Sequence, residues 1–126
     1  MNKKVVFTES APAAVGPYSQ GVEMNGMLFL SGMLPIDPAT GDLVTGGARE
    51  QTTQIFANIR QVLAAAGLNP EHIVKTTVFL QDMALFGEMN EVYAAQFSVS
   101  YPARSAIAVK GLPKNALVEI EVIAMR

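Results

Sequence analysis

Six short runs rich in apolar and β-branched residues indicate β-strands along this chain. The second and third runs flank Asn25-Gly26, a pair typical of tight hairpin turns because both central residues adopt positive φ. The predicted strands span 3–7, 21–24, 27–31, 73–80, 105–110 and 117–125. We expect the first run to be an edge strand, and 32–47 to form a loop because turn-forming residues cluster there.

The apolar period changes to that of an α-helix over 48–66. Gly67 follows immediately, as glycine often does at the end of a helix. We expect a polar, solvent-facing side that carries Gln51, Asn58 and Gln61. The apolar face consists of Ile55, Ile59, Val62, Leu63 and Ala66.

A second helix is predicted from an N-terminal cap at Asp82 to about Phe97. Its expected buried line is Phe86, Met89, Tyr93 and Phe97. The resulting order is strand, hairpin, helix, strand, helix, strand, strand. This order is typical of the α+β class, with a mixed, mostly antiparallel sheet and both helices on one face.

Composition indicates a single domain that associates with copies of itself. A chain of 126 residues matches one domain, spanning 1–126. Half of the residues are apolar and only 16% are charged, against about 25% charged in an average soluble domain. The low charge leaves apolar surface, which we expect an oligomer to cover.

Charge and cysteine content argue against several classes of function. The net charge is −2 and the nine Lys and Arg residues are scattered, so we expect no nucleic-acid partner. The absence of cysteine excludes disulfides, zinc-thiolate sites and thiol nucleophiles. No stretch approaches the roughly 18 apolar residues of a spanning helix, and residues 1–12 do not resemble a signal peptide. We therefore expect a cytoplasmic protein that does not enter a membrane.

Two sequence features carry only weak signals for catalysis. His72 is the only histidine, and a surface histidine next to a strand explains it better than a catalytic triad. Gly46-Gly47 precedes the first helix without the Lys-Ser/Thr pair of a phosphate-binding loop, so it is interpreted as a flexible connection. No spacing of carboxylates or histidine resembles a metal-ligand set, and we expect no metal.

The segment before the fifth strand carries a stronger signal. Pro102 fixes the chain just ahead of Arg104, which therefore stands at a rigid strand start. Strand alternation places Arg104, Ala106 and Ala108 on one face, where the two small side chains leave room. The planar guanidinium group can bind a carboxylate through two hydrogen bonds. A surface ion pair at the strand end is the alternative.

Glu119 and Glu121 lie on one face of the last predicted strand. A solvated face of a half-buried strand would explain them without any chemistry. If the last two strands pair antiparallel with Ala108 opposite Glu119, Arg104 and both glutamates share one face. A one-residue slip would separate them, and the sequence does not fix this register.

Five motifs together resemble the reactive intermediate deaminase family, the RidA or YjgF group. The motifs are Gly16-Pro17-Tyr18-Ser19-Gln20-Gly21, Leu30-Ser31-Gly32, Asn90-Glu91-Val92-Tyr93, Tyr101-Pro102-Ala103-Arg104-Ser105 and Glu119-Ile120-Glu121. The resemblance runs in order from about Thr8 to Arg126 and is strongest to the archetypal, enzymatically active branch. It implies a chorismate mutase-like α+β fold and a homotrimer with clefts between adjacent subunits.

The resemblance also implies roles for individual residues. Arg104 would bind the substrate carboxylate, and Glu119, rather than Glu121, would orient the attacking water. Ala106 stands where the family usually has cysteine and Met33 where it has glutamine, two departures that bear on thiol-based activity and on substrate preference. The other expected substrate-binding positions are Tyr18, Ser31, Gly32 and Asn90.

The implied activity is hydrolysis of short 2-imino acids, such as 2-iminobutanoate and 2-iminopropanoate, to 2-oxo acids and ammonia. The resemblance implies no metal or organic cofactor. Two alternatives stay open. One is an endoribonuclease, an activity also attached to the family, which the net charge and the lack of a basic groove disfavour. The other is a non-catalytic module that binds small carboxylic acids, in which Arg104 would matter and Glu119 would not.

Overall fold

The computed structural model describes residues 2–126, which form six strands and two α-helices. Short 3₁₀ turns occupy Pro70–His72, Met83–Leu85 and Pro113–Asn115. The main elements are β1 (Lys4–Val6), β2 (Gly21–Met24), β3 (Met27–Leu30), α1 (Ala48–Ala65), β4 (Ile73–Leu80), α2 (Phe86–Ala94), β5 (Ala103–Ala108) and β6 (Val118–Met125). The predicted order of elements is confirmed.

All six strands belong to one sheet, ordered β1-β2-β3-β6-β4-β5. The β4–β5 pair is parallel and the other pairs are antiparallel. Alternate residues of the central strands are fully buried and form one apolar core with Ile55, Ile59 and Met89 of the helices. The predicted α+β class, with a mostly antiparallel sheet, is therefore confirmed.

The hairpin and the end of the first helix follow their local sequence signals. Asn25 and Gly26 have φ values of 52° and 78°, as the predicted turn between β2 and β3 requires. Gly67 has a φ of 74°, and the amide of Leu68 donates to the carbonyl of Leu63, which closes the C-terminus of α1.

The suggested antiparallel pairing of the last two strands is wrong. Strand β5 pairs in parallel with β4, and β6 lies between β3 and β4. The connection from β4 to β5 runs through α2, and such a helical crossover brings the second strand back in the same direction as the first. Ala108 is consequently in register with Leu80, not with Glu119.

The expected polar face of the first helix is only partly correct. Gln51 and Asn58 are buried, at 5% and 1% exposure, whereas Gln61 is exposed. The oxygen of Gln51 accepts a 2.8 Å hydrogen bond from the Leu117 amide. Both buried side chains satisfy backbone groups of segments that cross the helix, which explains why polar residues occur there.

The second helix is shorter than expected. The carboxylate of Asp82 caps a 3₁₀ turn by accepting from the Ala84 amide at 2.8 Å, and α2 begins only at Phe86. It ends at Ala94, so Phe97 lies beyond the helix and still packs against Tyr93, with ring centroids 5.1 Å apart. Neither helix among residues 2–126 is long and apolar enough to cross a membrane.

Candidate functional site

The larger cavity, about 570 Å³, lies on the side of the sheet that faces away from the helices. Two carboxylates enter it from alternate positions of β6. Its walls include Tyr18, Ser31, Gly32, Met33, Lys114, Glu119 and Glu121. Four of the six sequence-predicted site residues are therefore brought together here.

Backbone and side-chain hydrogen bonds fix the loop after β3 against β6. The Ser31 hydroxyl donates to the Ser19 carbonyl at 2.6 Å. The Met33 amide donates to the Ile120 carbonyl at 2.7 Å, which sets Gly32 beside Glu119. A Cβ on Gly32 would overlap the carboxylate of Glu119. A side chain at this position would therefore displace the carboxylate from its place beside the loop.

Gln20 secures the N-terminal wall of the same cavity. Its amide oxygen accepts from the Thr8 amide at 2.8 Å, and its amide nitrogen donates to the Pro12 carbonyl at 2.8 Å. These bonds hold the segment that carries Pro12, Ala13 and Val15 into the cavity wall. The sequence placed Gln20 in a motif without indicating this role, because its burial is visible only in the fold.

The environment of Glu119 favours its protonated form. Partial burial raises the pKa of this carboxyl, and the negative charge of Glu121 raises it further. A carboxyl whose pKa lies closer to neutrality exchanges protons more readily at physiological pH. Glu119 is therefore suited to act as an acid and a base.

A second cavity, about 440 Å³, contains the other two predicted residues, Asn90 and Arg104. The Nη1 group of Arg104 donates to the Oδ1 atom of Asn90 at 2.7 Å. The guanidinium carbon lies 4.6 Å from the ring centre of Tyr93 and 5.3 Å from that of Phe86. No carboxylate among residues 2–126 forms a salt bridge with Arg104.

The sequence analysis did not predict the contacts of Arg104 with Phe86 and Tyr93, although Tyr93 belongs to one of the five family motifs. A signal was available, because positions 86, 90 and 93 recur on one helical face. The Lys114 side chain at the first cavity was also missed. Its φ of 56° is unusual for a lysine and no local sequence pattern indicates it.

The two cavities open on opposite faces of the sheet. Arg104 is in register with Thr76 of β4, and Glu119 is in register with Phe79. Since side chains alternate along a strand, positions 76 and 79 point in opposite directions. One chain therefore presents the predicted site as two separated halves.

The chain is similar to a known protein family. The family model described as Endoribonuclease L-PSP matches residues 8–126. The chain belongs to this family. The resemblance to reactive intermediate deaminases, predicted from the motifs, is thereby confirmed.

Several relatives align with this chain over nearly its whole length. A mouse protein named 2-iminobutanoate/2-iminopropanoate deaminase is 46% identical, with 98% of this chain and 92% of the mouse protein covered. A Rid-family structure from Yersinia pestis has a TM-score of 0.96 at 48% identity, covering 98% and 99% of the two chains. The structure of E. coli TdcF with bound serine has a TM-score of 0.93 at 40% identity, covering 98% of each chain.

Proposed function

We propose that the protein hydrolyses short 2-imino acids, such as 2-iminobutanoate and 2-iminopropanoate, to 2-oxo acids and ammonia. The observation that carries the proposal is the guanidinium group of Arg104, which is oriented by Asn90 but has no carboxylate partner among residues 2–126. A partly buried, pre-oriented arginine of this kind is well suited to bind the carboxylate of a small ligand. The name of the mouse relative and the serine bound to TdcF support a small carboxylate-bearing substrate.

The active site in this proposal is a cleft between two copies of the chain. Arg104 and Glu119 lie on opposite faces of one sheet, so a small ligand cannot contact both within a single chain. A head-to-tail arrangement around a three-fold axis would bring Arg104 of one copy to Glu119 of the next. The helix-free face also exposes Phe29, Ile107 and Met125, at 41%, 47% and 44%, which such a homotrimer would cover.

The proposed mechanism uses side chains and water. Arg104 holds the substrate carboxylate through two hydrogen bonds and thereby places the imine carbon, C2, near Glu119 of the adjacent copy. Starting from the protonated imine, Glu119 removes a proton from a bound water as the water oxygen attacks C2, which gives a neutral 2-amino-2-hydroxy acid. Glu119 then gives this proton to the amino nitrogen and accepts the hydroxyl proton as the C2–N bond breaks, so that ammonia leaves and the 2-oxo acid forms. Such acid–base assistance contributes about 10²–10⁴-fold to a rate.

The remaining pocket residues complete the substrate-binding surface. In the proposal Tyr18 forms one wall, and the Gly32 amide offers a donor next to the reacting centre. Asn90 acts through its hydrogen bond to Arg104. Ser31 fixes the loop that positions Gly32. In the proposal, the single domain of residues 1–126 is the subunit of the homotrimer. A cytoplasmic location fits this function, because the substrates belong to amino acid metabolism.

The electrostatics of the larger cavity favour an imine over an RNA substrate. The family description and the name of a Thermotoga maritima structure include endoribonuclease. Glu119 and Glu121 outnumber the lysine, Lys114, in the lining of this cavity, however, and carboxylates repel a phosphate backbone. We therefore favour the deaminase.

A trapping assay tests the proposal directly. A purified dehydratase generates 2-iminobutanoate from threonine, semicarbazide traps the imine, and the protein is added as competitor. We expect wild-type protein to lower semicarbazone formation and Arg104→Ala to abolish this effect. Arg60→Ala, which removes an exposed arginine, is the matched control and should behave as wild type. Unchanged trapping by an intact oligomer that still binds 2-oxobutanoate would favour the binding-module alternative.

A further inference from the structure

The guanidinium group of Arg104 is held by more than its hydrogen bond to Asn90. It lies against the ring of Tyr93 at 4.6 Å and that of Phe86 at 5.3 Å. Both distances are within the range of attractive cation–π contacts. Asn90 contacts only Nη1, and a single hydrogen bond leaves the guanidinium plane free to rotate about it. The aromatic contacts remove that freedom.

Tyr93 is itself fixed from two other directions. Its hydroxyl group lies 2.7 Å from the Thr76 hydroxyl oxygen, and both residues are buried, at 3% and 0% exposure. Its ring meets Phe56 in an edge-to-face contact, with centroids 5.7 Å apart and planes at 78°. Burial also raises the pKa of the Tyr93 phenol, so the ring stays neutral beside the arginine. The position of this ring is thus set by the core of the protein.

Thr76 links this cluster to the sheet. It is in register with Arg104 on the neighbouring strand β5, and its side chain points to the same face. The hydroxyl of Thr76 therefore reaches Tyr93 on the face where Arg104 also leaves the sheet. Tyr93 of α2 therefore contacts Thr76 of β4 and Arg104 of β5, and these two strand residues are themselves paired in the sheet.

We propose that Tyr93 is a positioning residue for Arg104, and that its ring, anchored by Thr76, sets the plane in which the guanidinium meets the substrate carboxylate. The inference rests on the proposed role of Arg104 as the carboxylate anchor. Arginine is a long, flexible side chain, and a binding group fixed beforehand loses less conformational entropy when the ligand arrives. Asn90 and the Tyr93 ring together orient the remaining N–H groups towards the cavity.

The expected effect is weaker carboxylate binding with a smaller change in turnover. Tyr93→Leu removes the aromatic face, and we expect kcat/KM to fall by about three- to thirtyfold, in line with a lost cation–π contact. Most of this loss should be in KM, with a matching rise in the Kd for 2-oxobutanoate. Tyr93→Phe keeps the ring and should retain most of the activity. Leu63→Ala, which opens the core at a fully buried position of α1, controls for loss of stability and should leave KM unchanged.

A double-mutant cycle with Arg104→Gln tests whether Tyr93 acts through the arginine. In the Arg104→Gln protein, Tyr93→Leu should cause no further loss of kcat/KM, because the charged group that the ring positions is gone. A merely structural role predicts that the two losses multiply. Multiplying losses, or a Tyr93→Phe variant as impaired as Tyr93→Leu, would overturn the inference.

The same cycle separates this inference from the proposed function. If Arg104→Gln alone leaves kcat/KM and 2-oxobutanoate binding unchanged, the anchor itself is wrong and both proposals fall. If Arg104→Gln impairs both quantities while Tyr93→Leu changes neither, only the role of Tyr93 is wrong. Thermal melting and size-exclusion chromatography of each variant establish that the compared proteins are folded and equally assembled.

Discussion

Arg104 and Glu119 project from opposite faces of one six-stranded sheet, because Arg104 is in register with Thr76 and Glu119 with Phe79. Each residue lies in a cavity of its own. A reaction that needs both side chains at one small molecule therefore needs two copies of the chain.

Two inactive variants should restore activity when they are mixed. Arg104→Ala chains keep Glu119, and Glu119→Ala chains keep Arg104, so a mixed trimer contains some clefts with both residues. Each cleft of a cyclic trimer needs an intact Arg104 from one copy and an intact Glu119 from its neighbour. Because each residue is intact in half of the chains, random assembly from equal amounts should give about one quarter of the wild-type activity. The measurement is the trapping assay after joint denaturation and refolding. A mixture that remains inactive, although hetero-oligomers form, would contradict an intersubunit site.

The acid limb of the pH–rate profile should depend on Glu121. Burial and the charge of Glu121 raise the pKa of Glu119, and the proposed reaction needs its ionised form. Activity is thus lost as the pH falls through this raised pKa. Replacing Glu121 with Gln removes the like charge, lowers the pKa of Glu119 and should move the acid limb of kcat/KM to lower pH. The exposed Glu91→Gln variant provides the control profile and should not shift.

Adding even a methyl group at Gly32 should reduce activity. A Cβ at this position would overlap the Glu119 carboxylate, so Gly32→Ala should push the carboxylate away from the substrate. We expect kcat/KM to fall by about 10²-fold, the size of effect that a 1 Å misplacement can produce. Gly87→Ala is the matched control, because a Cβ there meets no atom within 4 Å. Equal activity of the two variants would show that the approach of Glu119 to Gly32 is not required.

Local signals predicted most of the elements. The Asn25-Gly26 turn and the glycine after α1 occur as expected because each depends only on neighbouring residues. The partner of β5 could not be predicted, since strand pairing is decided by the crossover through α2 rather than by the β5 sequence. The burial of Gln51 was missed for a similar reason, because the Leu117 amide that it binds is 66 residues away.

The candidate site was predicted as a set of residues but not as a geometry. The family motifs indicated Arg104, Asn90 and Glu119, and the contact of Arg104 with Asn90 agrees with their grouping. Which face each residue occupies depends on the register of β4 with both of its neighbours. Alternation within a single strand cannot supply that register. The resemblance implied clefts between adjacent subunits, but which residue lies on which face of the sheet could be read only from the fold.

Asn58 should contribute strongly to stability, because it lies on the buried side of α1. Its amide nitrogen donates to the carbonyl groups of Leu34 at 3.2 Å and Ile36 at 2.9 Å, in the loop that lines the larger cavity. Asn58→Asp removes both donors and buries a carboxylate, so we expect the free energy of unfolding to fall by about 1–3 kcal/mol or more. Urea denaturation measures this loss. Gln61→Glu, the same amide-to-acid change on the exposed side of α1, should alter stability by less than about 0.5 kcal/mol. Similar losses in both variants would mean that added charge on the helix, not the lost donors, is responsible.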